Sequence, residues 1–111
     1  LRLPTHLQVS ALIRRVQGEG GFATVLARGE RDAGTLMVVL TDRGAPSSAY
    51  ERMPQADGTR KWSRSRTQEA EDPYAFSEYL MRREAQDPDL WIVELDVRDG
   101  ERFIAELADA G

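Results

Sequence analysis

The sequence predicts one α+β domain over residues 1–111, with the order α-β-β-β-β-α-β-α and a mostly antiparallel sheet carrying packed helices. Three observations predict it. Apolar residues recur at helical spacing near the start, at Val9, Leu12, Ile13 and Val16. Four strand-like runs then follow one another through the middle of the chain. The second half opens with a helix start at Asp72-Pro73, followed by a strand of strict alternation. Strands bunched in the middle with helices at both ends indicate α+β rather than an alternating barrel.

The first helix begins at Thr5, whose hydroxyl can cap it after Pro4. Leu7, Val9, Ala11 and Ile13 also alternate as in a strand, but Val16 extends the helical stripe. Gly18, Gly20 and Gly21 end it. Phe22–Arg28 is short, apolar and partly β-branched, which predicts a strand. Gly29–Gly34 has the length of a hairpin loop joining it to the next. That next strand, Thr35–Thr41, reads TLMVVLT and is apolar on both faces, as suits a central strand covered on both sides. Asp42–Ser47, with Gly44 and Pro46, makes a turn before a weaker strand over Ser48–Met53. Asp57-Gly58 marks the turn of a hairpin whose second arm is Arg60–Arg66.

Asp72 is suited to the N-cap and Pro73 to the first helical position of the second helix. Phe76, Tyr79 and Leu80 form its buried stripe, and Arg82-Arg83 reads as a solvated face. Asp87-Pro88 ends the helix. Trp91, Val93, Leu95 and Val97 alternate with Glu94 and Asp96 in a strand. Asp99-Gly100 turns the chain into a final short helix carrying Phe103, Ile104 and Leu107.

Composition narrows function by exclusion. The 111 residues contain no cysteine and one histidine, His6. Disulfide scaffolds, thiol catalysis and cysteine-ligated metals are therefore ruled out, as is a histidine-rich metal site. Nothing in the spacing joins His6 to Ser47 or Ser48 as a triad. Gly18-Glu19-Gly20-Gly21 follows a helix and precedes a strand, the reverse of a phosphate-binding loop. Leu1–Leu12 is interrupted by Pro4, His6 and Gln8, so no signal peptide is expected and a cytoplasmic setting is. No apolar run is long enough for a membrane span.

The formal charge of −4 is the remainder of two unequal halves. Residues 1–66 hold eleven basic and six acidic side chains; residues 67–111 hold four and thirteen. Such a split marks either a surface for nucleic acid or two halves that neutralise one another on folding. Arg60, Lys61, Trp62, Arg64 and Arg66 are the candidate contact residues. In an extended strand Arg60, Trp62, Arg64 and Arg66 point one way, a pattern suited to holding single-stranded nucleic acid by phosphate contact and base stacking. The same charges suit an edge strand that resists pairing with another copy. Glu94 and Asp96 share a strand face and could hold a divalent cation in a metal-dependent hydrolase, or could pair with Arg60 and Arg64 on a neighbouring strand.

Several of these segments together resemble a family. They are Ile13-Arg14-Arg15 with Gly18-Glu19-Gly20, then Asp32-Ala33-Gly34, then Lys61-Trp62. The last runs from Asp87-Pro88-Asp89-Leu90-Trp91 into Ile92-Val93-Glu94. The chain resembles a group of short alphaproteobacterial proteins known only as a domain of unknown function. It departs from that pattern after Trp62, where Ser63-Arg64-Ser65-Arg66 is polar and basic. The resemblance implies a bacterial cytoplasmic protein and brings no activity, cofactor or catalytic residue.

The leading expectation is a non-catalytic interaction module whose partner is a protein, including a second copy bound through an edge strand. No catalytic residue, cofactor or metal is assigned. A single-stranded nucleic-acid binder using residues 60–66 is the alternative, and a metal-dependent hydrolase the third reading. Trp91, Trp62 and Tyr50 would mark an interface if exposed within an apolar patch.

Overall fold

The computed structural model describes residues 3–43 and 46–110, with side chains as far as Ala105. The described residues form three helices and one five-stranded sheet. In chain order these are α1 (Thr5–Gly18), β1 (Phe22–Ala27), β2 (Leu36–Thr41), β3 (Ser48–Pro54), β4 (Arg60–Thr67), α2 (Pro73–Gln86), β5 (Trp91–Asp96) and α3 (Gly100–Ala110). The predicted element order and class are those observed. Gly44 and the side chain of Leu107 lie outside the described residues.

The sheet runs β1-β5-β2-β3-β4. Three of its pairings are antiparallel, and β2 with β5 is parallel, in register from Leu36 opposite Trp91 to Thr41 opposite Asp96. Each β2 residue from Leu36 to Leu40 is buried, so the reading of TLMVVLT as doubly covered holds. Alternate side chains serve two cores. Leu36, Val38 and Leu40 pack with Val9, Leu12 and Val16 of α1 and Phe103 and Ile104 of α3. Met37 and Val39 pack on the opposite face with Ala49, Ile92 and Phe76 of α2. Two helices thus cover one face and one covers part of the other.

Residues 29–34 are not a hairpin loop. The strand β5, from the far end of the sequence, lies between β1 and β2 and pairs with both. The short link suits a hairpin, but the deeply apolar WIVEL run of β5 gains more by burial on both sides than it would at an edge. Thr5 is also not the cap of α1. Pro4 holds the N-cap position, and Thr5 is buried one step inside. Its hydroxyl donates to the Gly34 carbonyl at 2.6 Å, and its backbone N–H donates to that of Asp32 at 3.0 Å. The start of α1 is therefore fastened to the link that follows β1.

Two further punctuation signals behave as read. Asp72 caps α2, accepting from the Ala75 N–H at 3.3 Å, with Pro73 at the first helical position. At the β3–β4 turn Gly58 has φ +87°, a left-handed conformation that side chains resist. Asp57 Oδ1 accepts there from both the N–H and the hydroxyl of Thr59.

Candidate functional site: two unlike sheet edges

An open sheet has two edges, and each exposes unpaired backbone donors and acceptors. Here the edges are β4 and β1.

Edge β4 carries all five candidate residues. Arg60, Trp62 and Arg64 pair with Pro54, Arg52 and Tyr50, on the face that bears α1 and α3. Arg66 does not join them. The register shifts between Ala49 and Tyr50, and the extra β4 residue, Ser65, turns Arg66 to the opposite face. There its guanidinium lies 5.2 Å from the Tyr79 ring centroid on α2. Arg64 is 3.9 Å from Glu101 of α3, both largely exposed. Trp62 packs against the core, and the Arg52 guanidinium lies over its ring at 5.2 Å. A base could stack on Trp62 only by displacing Arg52.

Glu94 and Asp96 do share one face, as their register opposite Val39 and Thr41 requires. They do not pair with Arg60 or Arg64, because β2 and β3 lie between β5 and β4. Asp96 Oδ1 accepts from the backbone N–H of Arg43 at 3.3 Å. Among the described residues no three histidine or carboxylate side chains converge as a metal site would require. A groove of about 280 Å³ at the ends of β2 and β5 is lined by Arg43, Arg98, Asp42, Asp96 and Glu19, a mixture of both charges.

Arg83 is not a solvated side chain. It reaches from α2 to Glu51 on β3 with two bonds of 2.7 Å, Nη1 to Oε2 and Nη2 to Oε1. It also donates to the Tyr79 hydroxyl at 2.9 Å. The fork geometry gives the strongest class of side-chain bond. The bonds from Arg83 hold the Glu51 carboxyl below its ordinary value of 4.5, outweighing burial, which acts the other way. A depressed carboxyl stabilises the fold above that ordinary value, and the contribution is lost as pH falls through the folded value. Glu51→Gln should therefore lower stability by about 2 kcal/mol at pH 7, since the two side chains are only 15% and 28% exposed. Urea titrations at pH 7 and pH 3 check this, and the difference between wild type and variant should shrink at pH 3.

Edge β1 is the opposite of β4. Its sequence, FATVLA, has no charge. Phe22 is 73% exposed, Leu26 43% and Val25 36%. Phe22 and Thr24 stand opposite Asp96 and Glu94, on the face whose single helix, α2, packs around Phe76 over Met37, Ala49 and Ile92. A bulge between Val25 and Ala27 leaves Leu26 without a β5 partner. Sequence reasoning passed over these residues, because an apolar strand reads as core until its place in the sheet is known. The signal available was the contrast of FATVLA with RKWSRSR. The condition under which Trp91, Trp62 and Tyr50 would mark an interface is not met: Trp91 and Tyr50 are buried and Trp62 partly so.

Two of the segments that carry the family resemblance meet at one end of the sheet. The Glu30 N–H donates to the Asp89 carbonyl at 3.1 Å, and the Trp91 N–H to that of Thr35 at 2.8 Å. The Trp91 indole N–H donates to the Glu30 carbonyl at 2.7 Å. Asp32-Ala33-Gly34 and Asp87–Trp91 thus form one knot joining the β1–β2 link to the start of β5.

The comparisons agree with this structure. The family model described as protein of unknown function (DUF1491) matches residues 3–105. The crystal structure of a DUF1491 family protein from Caulobacter crescentus CB15 is 37% identical, covering 89% of this chain and 92% of that one, with a TM-score of 0.74. An NMR structure of a DUF1491 family protein from the same organism is 36% identical over 94% of each chain, also with a TM-score of 0.74. A solution structure of an A. tumefaciens protein is 32% identical over 89% of each chain, with a TM-score of 0.68. No curated protein matches the chain. The resemblance read from the two segments of the knot together with Ile13-Arg14-Arg15, Gly18-Glu19-Gly20 and Lys61-Trp62 is therefore correct, and the chain belongs to the DUF1491 family of proteins of unknown function.

Proposed function

We propose that the protein is a non-catalytic binding module of the cytoplasm, and that it binds by accepting an extended strand of protein on the β1 edge. The observation that carries this is the difference between the two edges. Both edges carry a bulge, but on β4 basic residues stand along the strand in the way that proteins discourage edge pairing. Edge β1 has no charged residue and exposes Phe22, Val25 and Leu26 beside its backbone groups. Strand addition draws affinity from main-chain hydrogen bonds and specificity from the flanking side chains. A cysteine-free chain with no helix, among the described residues, long and apolar enough to cross a membrane supports such a setting.

A titration of the ¹⁵N-labelled chain tests this. The probe is a synthetic peptide of residues 22–28 with a lysine pair at each end for solubility. The expected result is amide shifts concentrated in residues 22–27 and lost in Leu26→Lys. Shifts confined to residues 60–67, or none at 22–27, overturn the reading. A mixed-sequence single-stranded oligonucleotide that moves residues 60–66 and loses affinity steeply with salt would favour the nucleic-acid alternative instead.

A further inference from the structure

We infer that the occupant of the β1 edge is the β1 edge of a second copy, paired antiparallel about a two-fold axis to join two five-stranded sheets into one. The inference rests on the strand-addition reading and names its partner. Charge selects the arrangement. Glu19 stands just before β1 and Arg28 just after it. Antiparallel pairing about Thr24 brings Arg28 of each strand beside Gly20 of the other, next to Glu19, the C-cap of α1, whose carboxylate also meets Arg102 at 3.7 Å. Parallel pairing would set Arg28 against Arg28 and Glu19 against Glu19. Within the strand FATVLA opposes itself with no charge to bury.

The other edge limits growth. A second copy added at β4 would bring Arg60, Lys61, Arg64 and Arg66 against the same set. Like charges facing across a strand pair are destabilising. Pairing β1 with β4 would be head-to-tail and leave edges open for a run of copies, whereas β1 with β1 is isologous and closes at two. The face of β1 beside Phe22 and Thr24 lies beyond the core that α2 covers, so the same side chains from both copies meet there on joining. A six-residue strand pair with a few flanking side chains is at the small end of protein interfaces. Association on the order of 100 µM is the corresponding strength.

Sedimentation equilibrium on the full chain across a concentration series tests the inference. The wild-type average mass should rise from 12.5 kDa toward twice that value. A two-fold axis normal to the sheet sets one residue opposite its own copy, and with that residue at Thr24, exposed near the middle of β1, Thr24→Lys sets two ammonium groups across the axis. That variant should stay at 12.5 kDa throughout while melting as the wild type does. Lys61→Glu, on the other edge, should associate as the wild type does. A wild type that remains monomeric to millimolar concentration, or a Thr24→Lys variant that dimerises unchanged, overturns the inference. If the monomer nonetheless binds the residue 22–28 peptide at β1, only the second-copy inference fails. Absence of both falls on the strand-addition reading as well.

Discussion

Gly34→Ala is expected to cost about 3 kcal/mol or more, a large part of the stability of a domain this size. A methyl group at position 34 would lie 2.3 Å from the Asp89 carbonyl oxygen and 2.6 Å from that of Glu30. Both obstacles are backbone, so no side chain can swing aside. Asp89 accepts from Glu30, and Gly34 itself accepts from buried Thr5. Moving any one of these pulls the start of α1, the β1–β2 link and the start of β5 out of register. Gly18→Ala is the matched control. It adds the same methyl group where no atom lies within 4 Å, at the last residue of α1. There the substitution should be neutral or stabilising by up to about 1 kcal/mol, through helix propensity and a stiffer unfolded chain. Denaturant midpoints for the two variants should therefore move in opposite directions. Equal small changes in both would show that the close approach at Gly34 carries no energy.

The knot at Gly34 also shows which parts of the fold the sequence made legible. Short-range signals were reliable because their causes are local. Asp72-Pro73 starts a helix by its own hydrogen bond and its fixed φ, and Asp57-Gly58 turns the chain by its own conformational freedom. The double coverage of β2 was legible because apolarity on both faces has one economical outcome. Strand order was not, since the insertion of β5 between β1 and β2 depends on segments more than fifty residues apart. A six-residue link reads as a hairpin whether or not another strand comes between its ends. The candidate site failed in the same way. Arg66 left its predicted face because one bulge breaks the period of two, and Arg83 found Glu51 32 residues away. Phe22–Arg28 reads as a strand, but the sequence cannot say which strand stands at the edge, so the exposure of Phe22, Val25 and Leu26 was not legible. The charge split also takes its meaning from topology. Two of its cross-half pairs, Arg83 with Glu51 and Arg102 with Glu19, join the minority charges of each half. The basic majority on β4 is left mainly to guard an edge.

Trp91→Ala should be comparably damaging, at about 3–5 kcal/mol, and Trp91→Phe divides that cost into its causes. The side chain is 4% exposed within the core shared by α1 and α3. Truncation to alanine removes its apolar area and leaves a cavity, while the Glu30 carbonyl loses the indole N–H donating at 2.7 Å. Phenylalanine restores most of the area but cannot donate. Its cost of about 1–2 kcal/mol would report the orphaned carbonyl and the misfit of a smaller ring. The Arg28 guanidinium, 5.5 Å from the indole centroid, contributes a third component, expected to couple to the ring by about 0.5–1 kcal/mol in a double-mutant cycle with Arg28→Ala. The cycle also bears on the edge. If Arg28 is held by Trp91, loss of the indole releases the charge that closes β1 at its C-terminal end. Trp91→Ala, which removes the ring altogether, should then weaken self-association under conditions where the monomer is still fully folded. A variant that loses stability yet associates as the wild type does would separate the knot from the edge, and leave Arg28 without a part in pairing.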